Sequence, residues 1–255
     1  MGRKIERVGF GGAMGHRLAA VLERPPAEPR AWALFAHCFS CSKDLKAVAW
    51  ISRVLVEHEI GVLRFDFTGL GESEGDFSDT NFSSNLDDVV AAADYLRRKH
   101  RAPRLLIGHS LGGAAVLAAA DRIPEAAAVA TIATPSDTTH LSDGLIRMAP
   151  EIEERGEAEI HLGGRSFCIR KQFIDDLRQQ TLLRSVRELG RALLVLHSPV
   201  DEVVEVEHAR RIFETAKYPK SFISLDGADH LLMKDRKDAR YVADVLAAWS
   251  SRYLA

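Results

Sequence analysis

The stretch LLIGHSLGGAAVLAAA, residues 105–120, decides how the chain folds. Leu105, Leu106 and Ile107 form a wholly apolar run, as expected for a strand buried on both faces. Ala114 to Ala120 then reads as a helix. Between them, Gly108-His109-Ser110-Leu111-Gly112 matches G-x-S-x-G in the strand–turn–helix setting that this motif requires. Small neighbours let the chain turn sharply and hold the serine in a strained conformation. Ser110 Oγ is then presented at a helix N-terminus, where the dipole favours developing negative charge. That is a position for a nucleophile.

Outward from this turn, the elements alternate. Residues 4–10 and 16–24 read as two strands joined by a Gly-rich turn, and Pro25, Pro26 and Pro29 break the chain. Residues 31–37 form a buried strand, 43–59 a helix whose start Asp44 supports, and 61–66 another strand. A Gly- and acid-rich stretch, TGLGESEGDFSDT, reads as a surface loop before a long helix at 82–101. Strands follow at 126–133, 191–197 and 220–225, with helices near 205–216 and at 238–253. Such alternation implies an α/β fold: a mainly parallel sheet with helices on both faces. Residues 134–190 interrupt the rhythm, are more polar, and contain a hairpin pattern around Gly163-Gly164. The expected organisation is a core of residues 1–133 and 191–255 with 134–190 inserted as a lid over the carboxyl edge of the sheet.

A nucleophilic serine needs a base, and the base needs an acid to orient it. Four histidines downstream of Ser110 are candidates: His161, His197, His208 and His230. His161 falls in the hairpin, His197 ends a strand and His208 lies within a helix. His230 sits in Asp226-Gly227-Ala228-Asp229-His230, a turn after the last strand, which suits a base. Asp201, in the loop after LLVLHSPV, is the preferred acid and Asp137 the runner-up. Glu202 would point differently, and Asp229 reads as structural. Two backbone N–H groups must hold an oxyanion. Leu111, directly after the nucleophile, is one; Phe39, in the loop after strand 31–37, is the other. Met148, Phe167 and Phe173 of the inserted stretch either line an acyl pocket or form the lid's own small core.

Composition excludes other classes. Lys plus Arg is 34 against 36 for Asp plus Glu, a formal charge of −2, which argues against nucleic acid as a partner. There is no apolar run of membrane-spanning length and no signal-peptide pattern, so no membrane is expected and the default compartment is the cytoplasm. Glu6 stands where a myristoylation signal needs Ser or Thr. Cys38, Cys41 and Cys168 make no secreted disulfide framework. Cys38-x-x-Cys41 reads first as two buried cysteines filling a loop and second as a redox pair. A zinc site lacks a second ligand pair. The glycines at 69, 71 and 75 do not read as a phosphate loop, because no helix starts at once and Glu72, Glu74 and Asp76 would repel phosphate. The run Glu151-Ile152-Glu153-Glu154-Arg155 reads as a solvated face. No metal and no organic cofactor is expected.

These segments also carry a family resemblance. FAHCFSCSKDLKA (35–47), LRFDFTGLGESEGDF (63–77), GHSLGG (108–113), HSPVDEVV (197–204) and SLDGADHLL (224–232) resemble the α/β-hydrolase superfamily. Within it they are similar to small serine esterases and to the hydrolase part of bifunctional α/β-hydrolase/OsmC proteins. The resemblance implies an eight-stranded sheet, a lid after the sixth strand, and hydrolysis of carboxylic esters by Ser110, Asp201 and His230. It also implies an OsmC-type domain or protein as a partner. Thioesterase, acyltransferase or perhydrolase chemistry could use the same triad. A non-catalytic ligand-binding or redox-partner module is the rival from another class. Where such esterases carry Gly after the oxyanion-loop His, this chain has Cys38.

Overall fold

Strands buried on both faces organise the chain. The computed structural model describes residues 2–162 and 164–254. In chain order the first half holds β1 (Lys4–Gly11), β2 (Arg17–Arg24), β3 (Ala31–Ala36), α1 (Lys46–Glu57), β4 (Ile60–Phe65), α2 (Phe82–Lys99), β5 (Leu105–His109), α3 (Leu111–Ala119) and β6 (Ala128–Ile132). Then come α4 (Thr139–Met148), α5 (Glu151–Arg155), β7 (Glu157–Leu162), β8 (Arg165–Arg170), α6 (Lys171–Gln179), α7 (Leu182–Glu188), β9 (Ala192–His197), α8 (Val206–Thr215), β10 (Lys220–Ser224) and α9 (Arg236–Ser250).

Eight strands form one sheet in the order β1-β2-β4-β3-β5-β6-β9-β10. β2 pairs antiparallel with β1 and β4, and the remaining pairs are parallel. Every residue of β3, β4, β5, β6 and β9 is buried, which is why these segments read as unbroken apolar runs. Their side chains divide between two layers. Trp32, Leu34 and Ala36 of β3 pack into the core under α2 and α3, and Ala31, Ala33 and Phe35 into the core under α1 and α9.

Local chemistry sets the helix starts. Asn81 accepts the Ser84 N–H while Ser84 Oγ accepts the Asn81 N–H, a reciprocal cap on α2. Asp235 caps α9 through the Lys237 N–H. The role expected of Asp44 is corrected: α1 begins after Leu45 without a side-chain cap. Asp44 instead faces Lys43 and Arg64, cations that attract its carboxylate away from the helix end.

Between β6 and β9 the chain runs through α4, α5, the antiparallel hairpin β7–β8, α6 and α7. Of the hairpin turn expected at Gly163-Gly164, Gly163 lies outside the described residues. α7 packs against α3 and α8, extending the helical layer, whereas α6 packs against α2 and α4. Asp176 of α6 accepts the Ser83 N–H at 2.8 Å and its hydroxyl at 2.6 Å, placing a carboxylate at the N-terminus of α2. In α5 Ile152 is buried while Glu151, Glu153 and Glu154 are exposed, and Glu153 pairs with Lys171 and Arg178. Among the described residues no helix is long and apolar enough to cross a membrane. The loops that follow β3, β5, β9 and β10 all leave the carboxyl edge of the parallel strands, where ligands of open α/β sheets bind.

Candidate active site

Ser110 joins β5 to α3 with φ 53° and ψ −122°, a conformation that L residues adopt only when their surroundings impose it. Two glycines permit it. A Cβ on Gly108 would run into the backbone of Gly112 and Gly113. A Cβ on Gly112 would run into the carbonyls of Ala36 and His37, so the first turn of α3 lies directly against the end of β3. The Ser110 N–H is held by the Ile132 carbonyl at 2.8 Å.

Three side chains from three loops meet here. His230 Nδ1 lies 2.8 Å from Asp201 Oδ2, and His230 Nε2 lies 3.1 Å from Ser110 Oγ. The carboxylate accepts from Nδ1–H, which leaves Nε2 as the acceptor for the serine hydroxyl. Asp201 Oδ1 accepts the N–H groups of Val203 and Val204 at 2.9 and 3.0 Å. Burial raises the Asp201 carboxyl, but the His230 bond and the Val204 and Val203 amides outweigh it and hold the group below its ordinary range.

His230 is fixed from behind. Asp229 accepts the N–H groups of Leu231, Met233 and Lys234, which closes the loop around His230. His109 Nε2–H donates to the His230 carbonyl at 2.7 Å. Burial, reinforced by neighbouring His230, pushes His109 down to about 3, so it serves as a neutral donor. His197 Nε2–H donates to the Val204 carbonyl at 2.7 Å and lies 3.6 Å from Asp201 Oδ2. Of the other candidates, His161 bonds Ser166 in the hairpin and His208 bonds Ser136. Asp137 stands 3.8 Å from His208 and accepts the His140 N–H; the structure does not bring it to His230. His140, a further histidine after Ser110, donates from Nε2 to the Val203 carbonyl.

Leu111 and Phe39 line one small cavity of about 10 Å³, together with Phe67, Leu70, Phe77 and Ala115. Among the described residues neither the Leu111 nor the Phe39 N–H has an acceptor. The Phe39 ring packs against Phe77, Phe173 and Phe167 at centroid distances of 5.3, 5.5 and 6.1 Å. Phe167 and Phe173 therefore sit behind Phe39 in a shared core, and neither lines the cavity. Met148 ends α4, 55% exposed and outside this cluster.

Several supporting groups leave no mark in the sequence. Asp66 accepts the Lys43 N–H at 2.6 Å, Lys43 Nζ at 2.8 Å and the Glu72 N–H at 2.9 Å, clamping the loop after β3 to the loop after β4. The stretch expected as a surface loop is thus partly buried: Leu70 and Phe77 within it, and Phe67 just before it, lie in the core. The aromatic residues Phe67 and Phe77 are the signal that could have revealed this. Cys38 and Cys41, expected first as two separate buried cysteines, are joined as a disulfide, while Cys168 is free. Their loop brings the two residues onto either end of one turn. Among the described non-glycine residues only Glu59, Ser110, Ala133 and Leu232 have positive φ, so Cys38 takes its place without the conformation that would demand Gly.

A family model for the alpha/beta hydrolase family matches residues 33–245. The chain belongs to that family. Among solved structures this hydrolase is similar to the esterase domain of a Rhodothermus marinus protein, 46% identical, with a TM-score of 0.80 and coverage of 99% of this chain and 100% of that one. It also matches alpha/beta hydrolase domain-containing protein 10 from mouse in fold, with a TM-score of 0.78 at 21% identity, over 97% of this chain and 99% of that one. By sequence it is 27% identical over 182 residues to the mitochondrial palmitoyl-protein thioesterase ABHD10 of Rattus norvegicus, covering 69% of this chain and 60% of that protein. An uncharacterized protein, YfhR of Salmonella typhimurium, is 29% identical over 197 residues, covering 72% of this chain and 58% of that one. The chain thus spans about three-fifths of the length of these two curated relatives.

Proposed function

We propose that this alpha/beta hydrolase cleaves carboxylic esters through an acyl-enzyme formed on Ser110. The observation that carries the proposal is the unbroken chain from Ser110 Oγ through the His230 ring to Asp201, built on a strained turn. His230 Nε2 takes the serine proton as Oγ attacks the ester carbonyl. Asp201 stabilises the resulting imidazolium. The Leu111 and Phe39 amides hold the oxyanion, His230 returns its proton to the leaving alcohol, and water then releases the acid. The similarity to the esterase domain from Rhodothermus marinus supports this.

A second reading, thioester hydrolysis by the same groups, is favoured by the similarity to the rat palmitoyl-protein thioesterase. The thiolate is a better leaving group than an alkoxide, so the triad needs no new part. Transfer of the acyl group to another acceptor would also need none. Residues 134–190 belong to the proposal as a lid whose Phe167 and Phe173 bear on acyl choice through Phe39. An OsmC-type partner rests on the segments quoted above alone.

The test is labelling with a fluorophosphonate, followed by matched esters and thioesters of graded acyl length. Covalent labelling of wild type, none in Ser110→Ala, and faster turnover of esters than of thioesters are expected. Thioester turnover that exceeds ester turnover at every length moves the assignment to the second reading. No labelling and no turnover would make the chain a binding module that keeps the fold.

A further inference from the structure

Cys38 and Cys41 take no part in the hydrolytic steps, yet they enclose the residue whose amide those steps use. The Cys41 N–H bonds the Cys38 carbonyl at 3.2 Å, so residues 38–41 form a turn, and the disulfide closes the same turn a second time. Phe39 lies inside that ring. Its N–H has no acceptor among the described residues, and it lines the cavity that Leu111 lines. The loop is anchored outside the ring at both ends. Upstream, Ala36 is hydrogen-bonded within the sheet. Downstream, Lys43 is clamped by Asp66. Opening the ring therefore loosens the turn without releasing the loop. Cys38 is 4% exposed and Cys41 is partly exposed, so Cys41 is the member of the pair nearer to solvent.

We propose that Cys38 and Cys41 form a thiol–disulfide exchange site through which a dithiol reductant lowers the hydrolytic rate, by opening the turn that orients the Phe39 amide. The inference rests on the hydrolytic role proposed above. A thiolate of the reductant attacks Cys41 Sγ, a reductant–Cys41 disulfide forms, and Cys38 leaves as a thiolate that takes up a proton. The reductant's second thiol then attacks its own bound sulfur, expels the Cys41 thiolate and closes the reductant's disulfide. Two electrons and two protons pass from the dithiol to the protein. A dithiol and its oxidised ring are the only co-reactants in either direction.

Removing an oxyanion donor outright costs about 10²–10³ in kcat. A loosened turn still samples the correct orientation, so about a tenfold fall in kcat is expected, with KM changed less than about twofold. A merely structural disulfide would not produce that split.

The experiment uses Cys168→Ser protein, which keeps only this pair of thiols. It is equilibrated with dithiothreitol or with oxidised dithiothreitol, alkylated for mass analysis, and assayed on a short ester with fluorophosphonate labelling in parallel. Two alkylated cysteines after reduction, none after oxidation, a tenfold higher kcat in the oxidised form and recovery on reoxidation support the proposal. Adding Cys38→Ser and Cys41→Ser should fix kcat at the reduced value, and the comparison of reduced with oxidised Cys168→Ser protein stands without those variants should they not fold. Equal kcat in the two states with Ser110 labelled in both overturns the exchange site alone. So do two alkylated cysteines under full oxidation, or a response that persists in the Cys38→Ser/Cys41→Ser protein. Failure to label Ser110 in either state overturns the hydrolytic role and this proposal with it.

Discussion

Replacing Asp201 with Asn tests the acid assignment by changing one atom. Asp201 Oδ1 holds two backbone N–H groups, those of Val203 and Val204, and Oδ2 holds His230 Nδ1. An amide at this position has one acceptor and one donor end. Turning its oxygen to His230 would strand both backbone donors, at about 1–3 kcal/mol each. Keeping its oxygen on the backbone presents –NH₂ to Nδ1, which must then accept. The proton moves to Nε2, a donor now faces Ser110 Oγ, and the base is lost. The second arrangement is the less costly, so the variant should fold and bind but hold the wrong tautomer. In a comparable triad that tautomer costs about 10⁴ in kcat, or about 5.5 kcal/mol of barrier. Steady-state hydrolysis of a short ester, with circular dichroism as the folding control, measures it. Asp137→Asn, whose carboxylate serves His140 and Ser136 instead, should lose less than about threefold. A loss below about tenfold in Asp201→Asn, or a larger one in Asp137→Asn, would refute the reasoning.

Gly112→Ala puts a methyl into the carbonyls of Ala36 and His37, so denaturant midpoints should show a loss of about 2–3 kcal/mol with reduced turnover; an unchanged midpoint would mean the two elements are not in contact. Burial raises Asp88 to about 6 from 3.8, so the folded chain keeps a proton that the unfolded chain releases, and this group's effect is to lower stability as pH rises through that window. Asp88→Asn, which can still accept the Thr68 N–H, should therefore gain on wild type by up to about 3 kcal/mol between pH about 4 and about 7; urea unfolding at both pH values would expose a pH-independent difference as a failure. His161→Ala removes only an exposed bond to Ser166, so stability should move by less than about 0.5 kcal/mol with most activity kept, and a collapse of turnover would place chemistry in the hairpin.

The sheet and the three central residues are legible because each leaves a local mark. Continuous apolar runs announce doubly buried strands, the small residues around Ser110 announce a sharp turn, and Asp201 and His230 follow late strands in order. What stays hidden depends on partners far along the chain. Lys43 and Asp66 each look like a solvated charge, and only the fold brings the loops after β3 and β4 together. His109 and His197 read as strand ends, because their acceptors are backbone carbonyls that no side-chain pattern reports. Helix α7 falls inside the expected lid because its polar surroundings mask an apolar face, Leu182 and Val186, turned into the core. Asp44 reads as a helix cap because sequence shows adjacency to a helix but not the two cations that compete for its carboxylate.

His37, His109 and His197 have a shared consequence for how this site meets acid. Each spends one ring N–H on a backbone carbonyl, of Cys38, His230 and Val204 in turn. Each keeps its other nitrogen buried and, among the described residues, without a partner. Burial lowers all three from the ordinary imidazole range. Around Ser110 the protein has thus gathered four imidazoles and biased three of them toward the neutral form. Neutral rings act as uncharged struts, adding no repulsion against the positive charge that the proposed reaction creates on His230.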